Sequence, residues 1–470
     1  MANPTKSRSI TGKPYFLKKR NLFAWFTILL SGLILCQDND IRSIVIISDE
    51  FFRSFFSGNL FGFTDIAWEY AVSVNNISLA PTYNILCYLI IAVWLIPLKI
   101  IFALFRQPDH LFIEIIWCKM LLVLCALLTE RIIQKICSKL EVDDEHKDRI
   151  ELIFSSSLLL LVGSVGFGQI DIIGTDIFLL AFLFYLDGDL KRFSLTSSVS
   201  ICFKGFSFLF FVPFLLFKEK KPSKILSRFG TAMILPVITK LFSMSSKYYS
   251  VMKTASDNYW QHRSRIWAAL LPGGERNFAP FVVFMILICF LALRMNRQET
   301  TSYESRRNLI FLSCLVSFVF IVFFKWHPQW LVLTLPFLSL SYLYIEDLKT
   351  YTMANLLFEA GYLLLTCMVY PNNVDDAMLF NGILRLLPWT HKDIHIANYL
   401  QQFFGLPDTV YMAVMVAGIA GMLILLFYEF FISKNKEPAT DNADSLKVLF
   451  FCKEILFYGF IIISLWMHLR

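Results

Sequence analysis

Residues 167–217 read "FGQIDIIGTDIFLLAFLFYLDGDLKRFSLTSSVSICFKGFSFLFFVPFLLF". Almost every position suits hydrocarbon, yet the stretch also holds Gln169, Asp171, Asp176 and Lys204. An ionisable group inside a bilayer costs at least about 2.5–3.5 kcal/mol, so it normally faces a polar cavity or a partner. The stretch therefore predicts apolar helices with polar groups gathered between them.

The composition of the whole chain agrees with this interpretation. Of 470 residues, 57% are hydrophobic, 17% are charged and 48 are Phe. The apolar runs are continuous, whereas barrel strands alternate apolar and polar residues over about ten positions. We therefore predict an all-α polytopic membrane protein with about 11 to 13 transmembrane helices. The candidate spans are 22–37, 83–105, 111–129, 151–167, 172–187, the broken pair 193–205 and 207–217, 229–244, 278–295, 307–325, 328–346, 354–370, 409–432 and 446–467.

Lys and Arg predict the orientation of the chain. The basic segments at residues 6–20, 191–192, 218–224 and 293–307 are expected on the cytoplasmic side. The first of them leads into a span without a small-residue cleavage site, which is typical of a retained signal anchor. The loop 37–81 then lies outside. The segment 130–150 is rich in both signs of charge, and simple parity leaves its side open.

Several function classes find no support in the sequence. The net charge of +7 follows from topology and anionic headgroups, so no nucleic-acid partner is expected. The ten cysteines mostly lie in apolar runs without CxxC or Cys/His clusters, which indicates neither a disulfide framework nor a zinc site. The chain lacks a P-loop and a soluble domain for ATP. No cofactor is required; a divalent metal near Asp38, Asp40 and Asp49 is compatible with the sequence, but nothing demands one.

Lys204 is the sharpest feature of the opening stretch. Its flanks are apolar for many residues, and Gly205 and Pro213 favour a broken or re-entrant helix, which is tolerated where it lines a cavity. Two interpretations stay open. The lysine either pairs with a structural carboxylate, Asp171 or Asp176, or faces an anionic ligand such as a phosphate.

The predicted first outer loop, residues 37–81, is acidic. Within it, "EFFRSFFSGNLF" (50–61) is typical of an amphipathic helix in the headgroup region. Carboxylates held at a membrane surface beside a buried cation would suit chemistry on a lipid-linked anion. For any single carboxylate, a solvated loop position is the alternative. The candidates are Asp38, Asp40, Asp49, Glu50, Asp65 and Glu69.

Two further polar clusters interrupt the apolar runs. In "FFKWHPQWLVLTLPFL" (323–338), His327 and Gln329 stand between indoles, which suits sugar binding or simple interfacial anchoring. In "SDNYWQHRSRIWAALLPGGER" (256–276), Arg263 and Arg265 suit a bidentate phosphate clamp. Contact with lipid headgroups is the alternative for that segment.

The order of these motifs resembles the bacterial membrane glycosyltransferases of the GT-C class that are related to the GPI-anchor mannosyltransferases. The resemblance covers roughly residues 38–340, and the last 130 residues add no motif. Departures are Pro328 and Gln329, where Glu-Arg is commoner, and Phe167, where Trp is usual. The segments that carry it are "APTYNILCYLI" (80–90), "FGQIDIIGTDIFLLAFLFYL" (167–186), "SVSICFKGFSFLFFVPFLL" (198–216), "SDNYWQHRSRIWAALLP" (256–272) and "WHPQWLVLTLPFL" (326–338).

The resemblance implies a GT-C fold, with an N-terminal catalytic module over 1–217 and a C-terminal transmembrane module over 218–470. It implies inverting transfer of a hexose, mannose-like by preference, from a polyprenyl-phosphate-linked donor. The acceptor would be a glycan, a glycolipid or a protein on the extracytoplasmic face of the plasma membrane. Asp49 best matches the position of the catalytic base, and Asp40 is the competitor. The expected substrate-binding residues are Tyr83, Gln169, Asp171, Lys204, Arg263, Arg265, His327 and Gln329.

A transporter or flippase of a lipid-linked glycan is the alternative function. It would also need buried Lys and Asp residues, aromatic interfaces and broken helices. Such folds usually contain internal repeats, and the two halves of this sequence show no convincing self-similarity. A purely structural membrane subunit would leave Lys204 unexplained.

Overall fold

The computed structural model of the chain describes residues 13–36, 38–74, 81–106, 110–254, 280–295, 303–324, 326–369, 381–386, 398, 402–403, 405, 408–431 and 443–469. Within these ranges the chain forms helices joined by short turns and contains no strand. The helices are α1 (Lys13–Ile34), α2 (Asp38–Phe56), α3 (Phe63–Ser73), α4 (Ile85–Leu104), α5 (Leu111–Lys139), α6 (Asp144–Ser155), α7 (Asp171–Leu186), α8 (Leu190–Phe203), α9 (Ser207–Lys218), α10 (Pro222–Met244), α11 (Pro280–Arg294), α12 (Tyr303–Phe323), α13 (Leu335–Ser341), α14 (Leu348–Val369), α15 (Asp408–Phe431) and α16 (Ala443–Leu469). A π-helical segment spans Leu159–Gly166, and short 3₁₀ turns span Leu60–Gly62, Pro328–Leu333, Tyr342–Tyr344 and Ile383–Leu386.

The apolar helices define an integral membrane protein. Five helices in the described ranges are long and apolar enough to cross a bilayer: α4, α5, α10, α12 and most of α15. A sixth span results if α6 and the π-helical segment, which meet at a bend of 53°, are counted together. The sequence predicts more crossings than this. Some of the other apolar runs fold as shorter helices, such as α9 with 12 residues and α11 with 15.

The stretch that carries Lys204 folds into two consecutive helical hairpins. Gly188, with φ of 81°, turns the chain between α7 and α8. Lys204 then interrupts the helix, and α9 returns antiparallel to α8. The rings of Phe193 and Phe211 stack at 5.2 Å, and the hydroxyl oxygens of Ser200 and Ser207 lie 2.6 Å apart. The helix break predicted at Lys204 is therefore present. The N-terminus of α8 and the C-terminus of α9 lie on the same side of the bundle.

The helix ends opposite Lys204 collect charged side chains, and we call this the basic end (residues 139–141, 187–192, 218–221 and 306–307). Lys139 pairs with Asp187, and the Lys218 ammonium donates to the Tyr185 carbonyl at 2.6 Å. Arg306 donates to the Leu140 carbonyl at 2.7 Å. The segment 130–150, whose side parity left open, thus reaches the same end as the segments predicted to be cytoplasmic.

Phenylalanines form the core that holds the hairpins to α13. Phe210 and Phe337 stack at 4.8 Å between ring centroids, and Phe182 lies edge-on to Phe337 at 5.6 Å. Phe178 and Phe214 complete the cluster. Aromatic pairs of this kind contribute about 0.5–1.5 kcal/mol each beyond their buried area. This rigid core fixes the positions of the short helices whose other ends carry the polar residues.

The predicted outer loop is largely helical. Its helix α2 starts at Asp38 and so extends further toward the N-terminus than the segment 50–61 that the sequence singled out. Ile41, Ile44 and Val45 are buried along one face of α2, which agrees with its amphipathic pattern. Because that face packs into the bundle, the first turn of α2 is held against the turn that follows the π-helical segment.

Candidate functional site

Lys204 and Asp171 form the centre of the candidate site. Lys204 caps the C-terminus of α8 in an extended conformation (φ −151°, ψ 117°), and Asp171 is the first residue of α7. The Lys204 ammonium lies 2.9 Å from Asp171 Oδ1, with side chains 17% and 3% exposed. Asp176, the other carboxylate considered from the sequence, accepts a hydrogen bond from Thr129 instead.

Two aromatic rings flank the ammonium group. Lys204 Nζ lies 4.9 Å from the Tyr83 ring centroid and 5.7 Å from that of Trp330. The His327 ring stands edge-on to Trp330 at 4.9 Å. The negative faces of such rings attract a cation, and their apolar surfaces limit its hydration. The Lys204 ammonium is therefore partly accessible and lies between two aromatic rings.

A hydrogen-bonded chain connects three of the predicted site residues. The Tyr83 hydroxyl donates to Gln169 Oε1 at 3.2 Å, and Gln169 Nε2 donates to Asp40 Oδ2. The Gln169 side chain is completely buried, so its amide is fixed by these two partners. The hydrogen bond from this amide fixes the orientation of the Asp40 carboxylate.

The turn that carries Gln169 depends on a glycine. Gly168 has φ of 69°, in the left-handed region that residues with a Cβ adopt only at a cost. A Cβ at this position would lie 3.4 Å from Ile41 Cδ1. Gly168 and Ile41 are thus in contact beside the pair formed by Gln169 and Asp40. Within "FGQID", Gly168 allows the turn that connects the π-helical segment to α7.

Burial raises the pKa of Asp40 above its ordinary value. The hydrogen bond from Gln169 and the positive charge of Lys204 act in the opposite direction, but burial is the largest contribution. A carboxylate with a raised pKa is a stronger base than one in water, which suits proton abstraction.

Two buried polar atoms near the centre lack a partner among the described residues. They are Oδ2 of Asp171 and Oε1 of Gln329. Leaving such an atom unsatisfied costs about 1–3 kcal/mol, so it calls for an explanation. Gln329 lies in the 3₁₀ turn Pro328–Leu333 between His327 and Trp330.

Asp49 belongs to a different cluster. The Lys99 ammonium lies 2.8 Å from Asp49 Oδ2 and 2.6 Å from Glu114 Oε1. Asp49 follows Asp40 by nine residues in α2, which corresponds to about 13 Å along a helix. The two aspartates proposed as alternative bases therefore have different surroundings, and Asp40 is the one that contacts Gln169.

The remaining predicted residues are placed as follows. His327 and Gln329 lie on the turn that also carries Trp330, and Tyr83 precedes α4. Arg263 and Arg265 lie outside the described residues, as does the side chain of Asp38. In the described part of the chain, no three His, Cys, Asp or Glu side chains come together as metal ligands.

Sequence inspection overlooked Lys119. It lies in α5 inside the apolar run "IIWCKMLLVL" (115–124) and is completely buried. Its ammonium donates to the main-chain carbonyls of Leu35 and Gly166. The signal that singled out Lys204, a lysine within an apolar run, was equally present here.

No protein-family model matches the chain, and no curated protein does. Among solved structures, the chain is similar to the crystal structure of ArnT from Cupriavidus metallidurans bound to undecaprenyl phosphate. The identity is 13%, the TM-score is 0.38, and the match covers 94% of this chain and 88% of that one.

Proposed function

We propose that the protein is a membrane glycosyltransferase of the GT-C class that uses a polyprenyl-phosphate-linked sugar. The observation that carries the proposal is the single cluster in which Lys204, Asp171, Gln169 and Asp40 meet. The cluster joins an accessible cation to a base carboxylate that is held in a fixed orientation. The order of sequence motifs adds support, because it resembles that of this enzyme class.

Sugar transfer with inversion needs a base and a cation. The acceptor hydroxyl oxygen attacks the anomeric carbon while the bond from that carbon to the phosphate oxygen breaks. The hydroxyl proton passes to Asp40, and the electron pair of the broken bond leaves with the polyprenyl phosphate. Lys204 stabilises the departing phosphate through a charge-assisted hydrogen bond. The donor is already activated, so this chemistry requires no nucleotide.

We assign the role of base to Asp40 rather than Asp49. Gln169 occupies Oδ2 of Asp40, which leaves Oδ1 to accept the proton. The positive charge of Lys204 lowers the pKa of Asp40, so the base and the cation that stabilises the leaving group belong to one site. The Asp49 carboxylate is paired with Lys99 instead.

The other residues bind and orient the substrate in this proposal. Asp171 holds the Lys204 ammonium in place, and Tyr83 holds Gln169. The Trp330 ring offers an apolar face to the sugar, while His327 and Gln329 hydrogen-bond to its hydroxyl groups. Arg263 and Arg265 remain candidates for a second contact with the phosphate.

The proposed donor carries a hexose, mannose-like by preference, and the acceptor is a glycan, a glycolipid or a protein. We place transfer on the extracytoplasmic face of the plasma membrane. Support for this side comes from the position of the cluster, which lies at the end of α7 and α8 opposite the basic end. Lys and Arg accumulate on the cytoplasmic side of membrane proteins.

The proposal is tested with purified protein in lipid nanodiscs. A panel of radiolabelled polyprenyl-phosphate sugars is supplied with crude acceptor glycans, and transfer of label is measured for the wild type and for Lys204→Met. Transfer by the wild type and its loss in the variant support the proposal. Proteoliposomes provide the competing measurement. If no donor is consumed but labelled lipid-linked glycan crosses their membrane, the protein is a flippase, and Lys204 lines its translocation path.

A further inference from the structure

Lys119 is a fully buried lysine that the proposed reaction does not use. It projects from α5 and has no exposed surface. Its side-chain nitrogen donates to two main-chain carbonyl oxygens, those of Leu35 and of Gly166, the latter at 3.1 Å. Placing an ammonium group in such a position is costly unless its donors are satisfied. The two carbonyls are therefore expected to be fixed by the contact.

Both carbonyls stand at the C-terminal ends of helical segments. Leu35 directly follows α1, and Gly166 is the last residue of the π-helical segment. Such ends carry unsatisfied carbonyls and a partial negative charge, which favours a cation. One ammonium group thus caps two helical segments that are distant in sequence.

The residues that follow these two carbonyls form the candidate site. Asp40 comes five residues after Leu35, and Gln169 comes three residues after Gly166. Gln169 donates its hydrogen bond to Asp40 across the same junction. A displacement of either carbonyl would therefore move one partner of that hydrogen bond relative to the other.

The three segments around Lys119, which are α1, α5 and the π-helical segment, are closely packed. A Cβ on Gly32 of α1 would lie 2.7 Å from Val123 of α5 and 3.3 Å from Val165 of the π-helical segment. The Ser31 hydroxyl donates to the Leu161 carbonyl at 2.7 Å. These contacts bring all three elements together beside Lys119, so its ammonium bridges parts that already touch.

We propose that Lys119 is a positioning residue that aligns Asp40 with Gln169 by holding the Leu35 and Gly166 carbonyls together. It acts through the main chain and does not touch substrate. The inference rests on the proposed function for its catalytic consequence, whereas the structural clamp can be measured without any reaction.

Lys453 provides a matched control. It is a second fully buried lysine, and its ammonium lies 2.7 Å from Glu359 Oε1, with both side chains 1% exposed. This pair joins α16 to α14, and Glu359 also accepts hydrogen bonds from Ser157 and Leu158, at the start of the π-helical segment and away from Gly166. The double variant Lys453→Met/Glu359→Gln removes a buried lysine without leaving an unpaired charge and keeps a side-chain oxygen as acceptor for Leu158. It reports what the loss of a buried lysine does at the other end of the same segment.

Hydrogen–deuterium exchange in nanodiscs tests the clamp. In Lys119→Met, peptides covering residues 36–41 and 167–172 are both expected to exchange faster by about tenfold, the effect of losing one charge-assisted hydrogen bond. Lys119→Gln, whose amide donor reaches less far, is expected to lie between Lys119→Met and the wild type. If Lys119→Met does not fold, Lys119→Gln against the wild type still gives the comparison. The double control variant should leave both peptides at the wild-type rate.

The pH profile of sugar transfer tests the catalytic consequence. Loss of the Gln169 contact should move the acid limb of Lys119→Met toward higher pH, while the control variant keeps the wild-type limb. Unchanged exchange in either peptide, or a limb that stays in place, overturns the proposal. If wild-type protein transfers no sugar, the proposed function fails, and the exchange data alone decide whether Lys119 clamps the two turns.

Discussion

Lys204 and Asp171 lie 2.9 Å apart at the ends of two antiparallel helices. Neither end is at the basic end of the bundle, where Lys139 and Lys218 make their contacts. α8 ends at Phe203 and α7 begins at Asp171, so the ion pair lies where these two apolar helices end and polar side chains follow. This placement leaves part of Lys204 accessible while its partner is buried.

Replacing Lys204 should lower transfer strongly, and it should also destabilise the fold because it takes a close cation from the buried Asp171 carboxylate. We expect Lys204→Met to lower kcat by about 10²–10³-fold, the loss seen when one group that stabilises developing charge is removed. Steady-state kinetics with a polyprenyl-phosphate sugar measure the change. Lys191→Met removes an exposed lysine at the basic end and should retain wild-type rates. Equal activity of the two variants would contradict the role of Lys204.

The pH dependence of kcat/KM should report Asp40. Burial raises the pKa of this carboxyl above its ordinary value, and a base must be deprotonated to act. Activity is therefore lost as the pH falls through that raised pKa, at a higher pH than for an exposed aspartate.

Gln169 should set the position of that acid limb. Its hydrogen bond lowers the pKa of Asp40, so Gln169→Leu should move the limb to higher pH. The limb of Asp49→Asn should remain with that of the wild type. A limb that shifts downward in Gln169→Leu, or stays where it is, would speak against Asp40 as the titrating base.

The cluster of Lys99, Asp49 and Glu114 should affect stability more than chemistry. Glu114 is 2% exposed, so Lys99→Met takes a close cation from a buried carboxylate, which costs on the order of 3 kcal/mol. Thermal unfolding in detergent should show a lower Tm. The protein that remains folded should still transfer sugar. A folded variant without activity would instead assign this cluster to the active site.

A side chain at Gly168 should strain the turn. Alanine there would adopt a left-handed conformation at a cost of about 1–2 kcal/mol, while its Cβ would make an ordinary contact with Ile41 at 3.4 Å. We expect Gly168→Ala to lower kcat more than it lowers Tm, because the turn positions Gln169. Gly230→Ala is the control, since a Cβ there meets nothing within 4 Å. Comparable kcat values for both variants would argue against the turn as a positioning element.

Local sequence features could predict the helix break at Lys204 and the polar character of "FGQID". Both depend on residues that are neighbours in the chain, such as Gly205 after Lys204. The partner of Lys204 could not be predicted in the same way. Asp171 and Asp176 are five residues apart in α7, and the choice depends on how far α8 extends alongside that helix.

The choice between Asp40 and Asp49 likewise depends on tertiary structure. The sequence of segment 37–81 does not predict the direction in which α2 crosses the bundle. That direction brings Asp40 to Gln169 and Asp49 to Lys99. Lys119 was overlooked for a related reason. Its partners are main-chain carbonyls, which leave no trace in the side-chain pattern of the sequence.

In the proposed reaction, Asp40 accepts the proton of the acceptor hydroxyl. Single-turnover sugar transfer by the wild type, Asp40→Asn and Asp49→Asn in nanodiscs, with equal folding confirmed by unfolding curves, tests this role. We expect Asp40→Asn to lose transfer and Asp49→Asn to keep it. Full transfer by Asp40→Asn, or loss in Asp49→Asn alone, would contradict it.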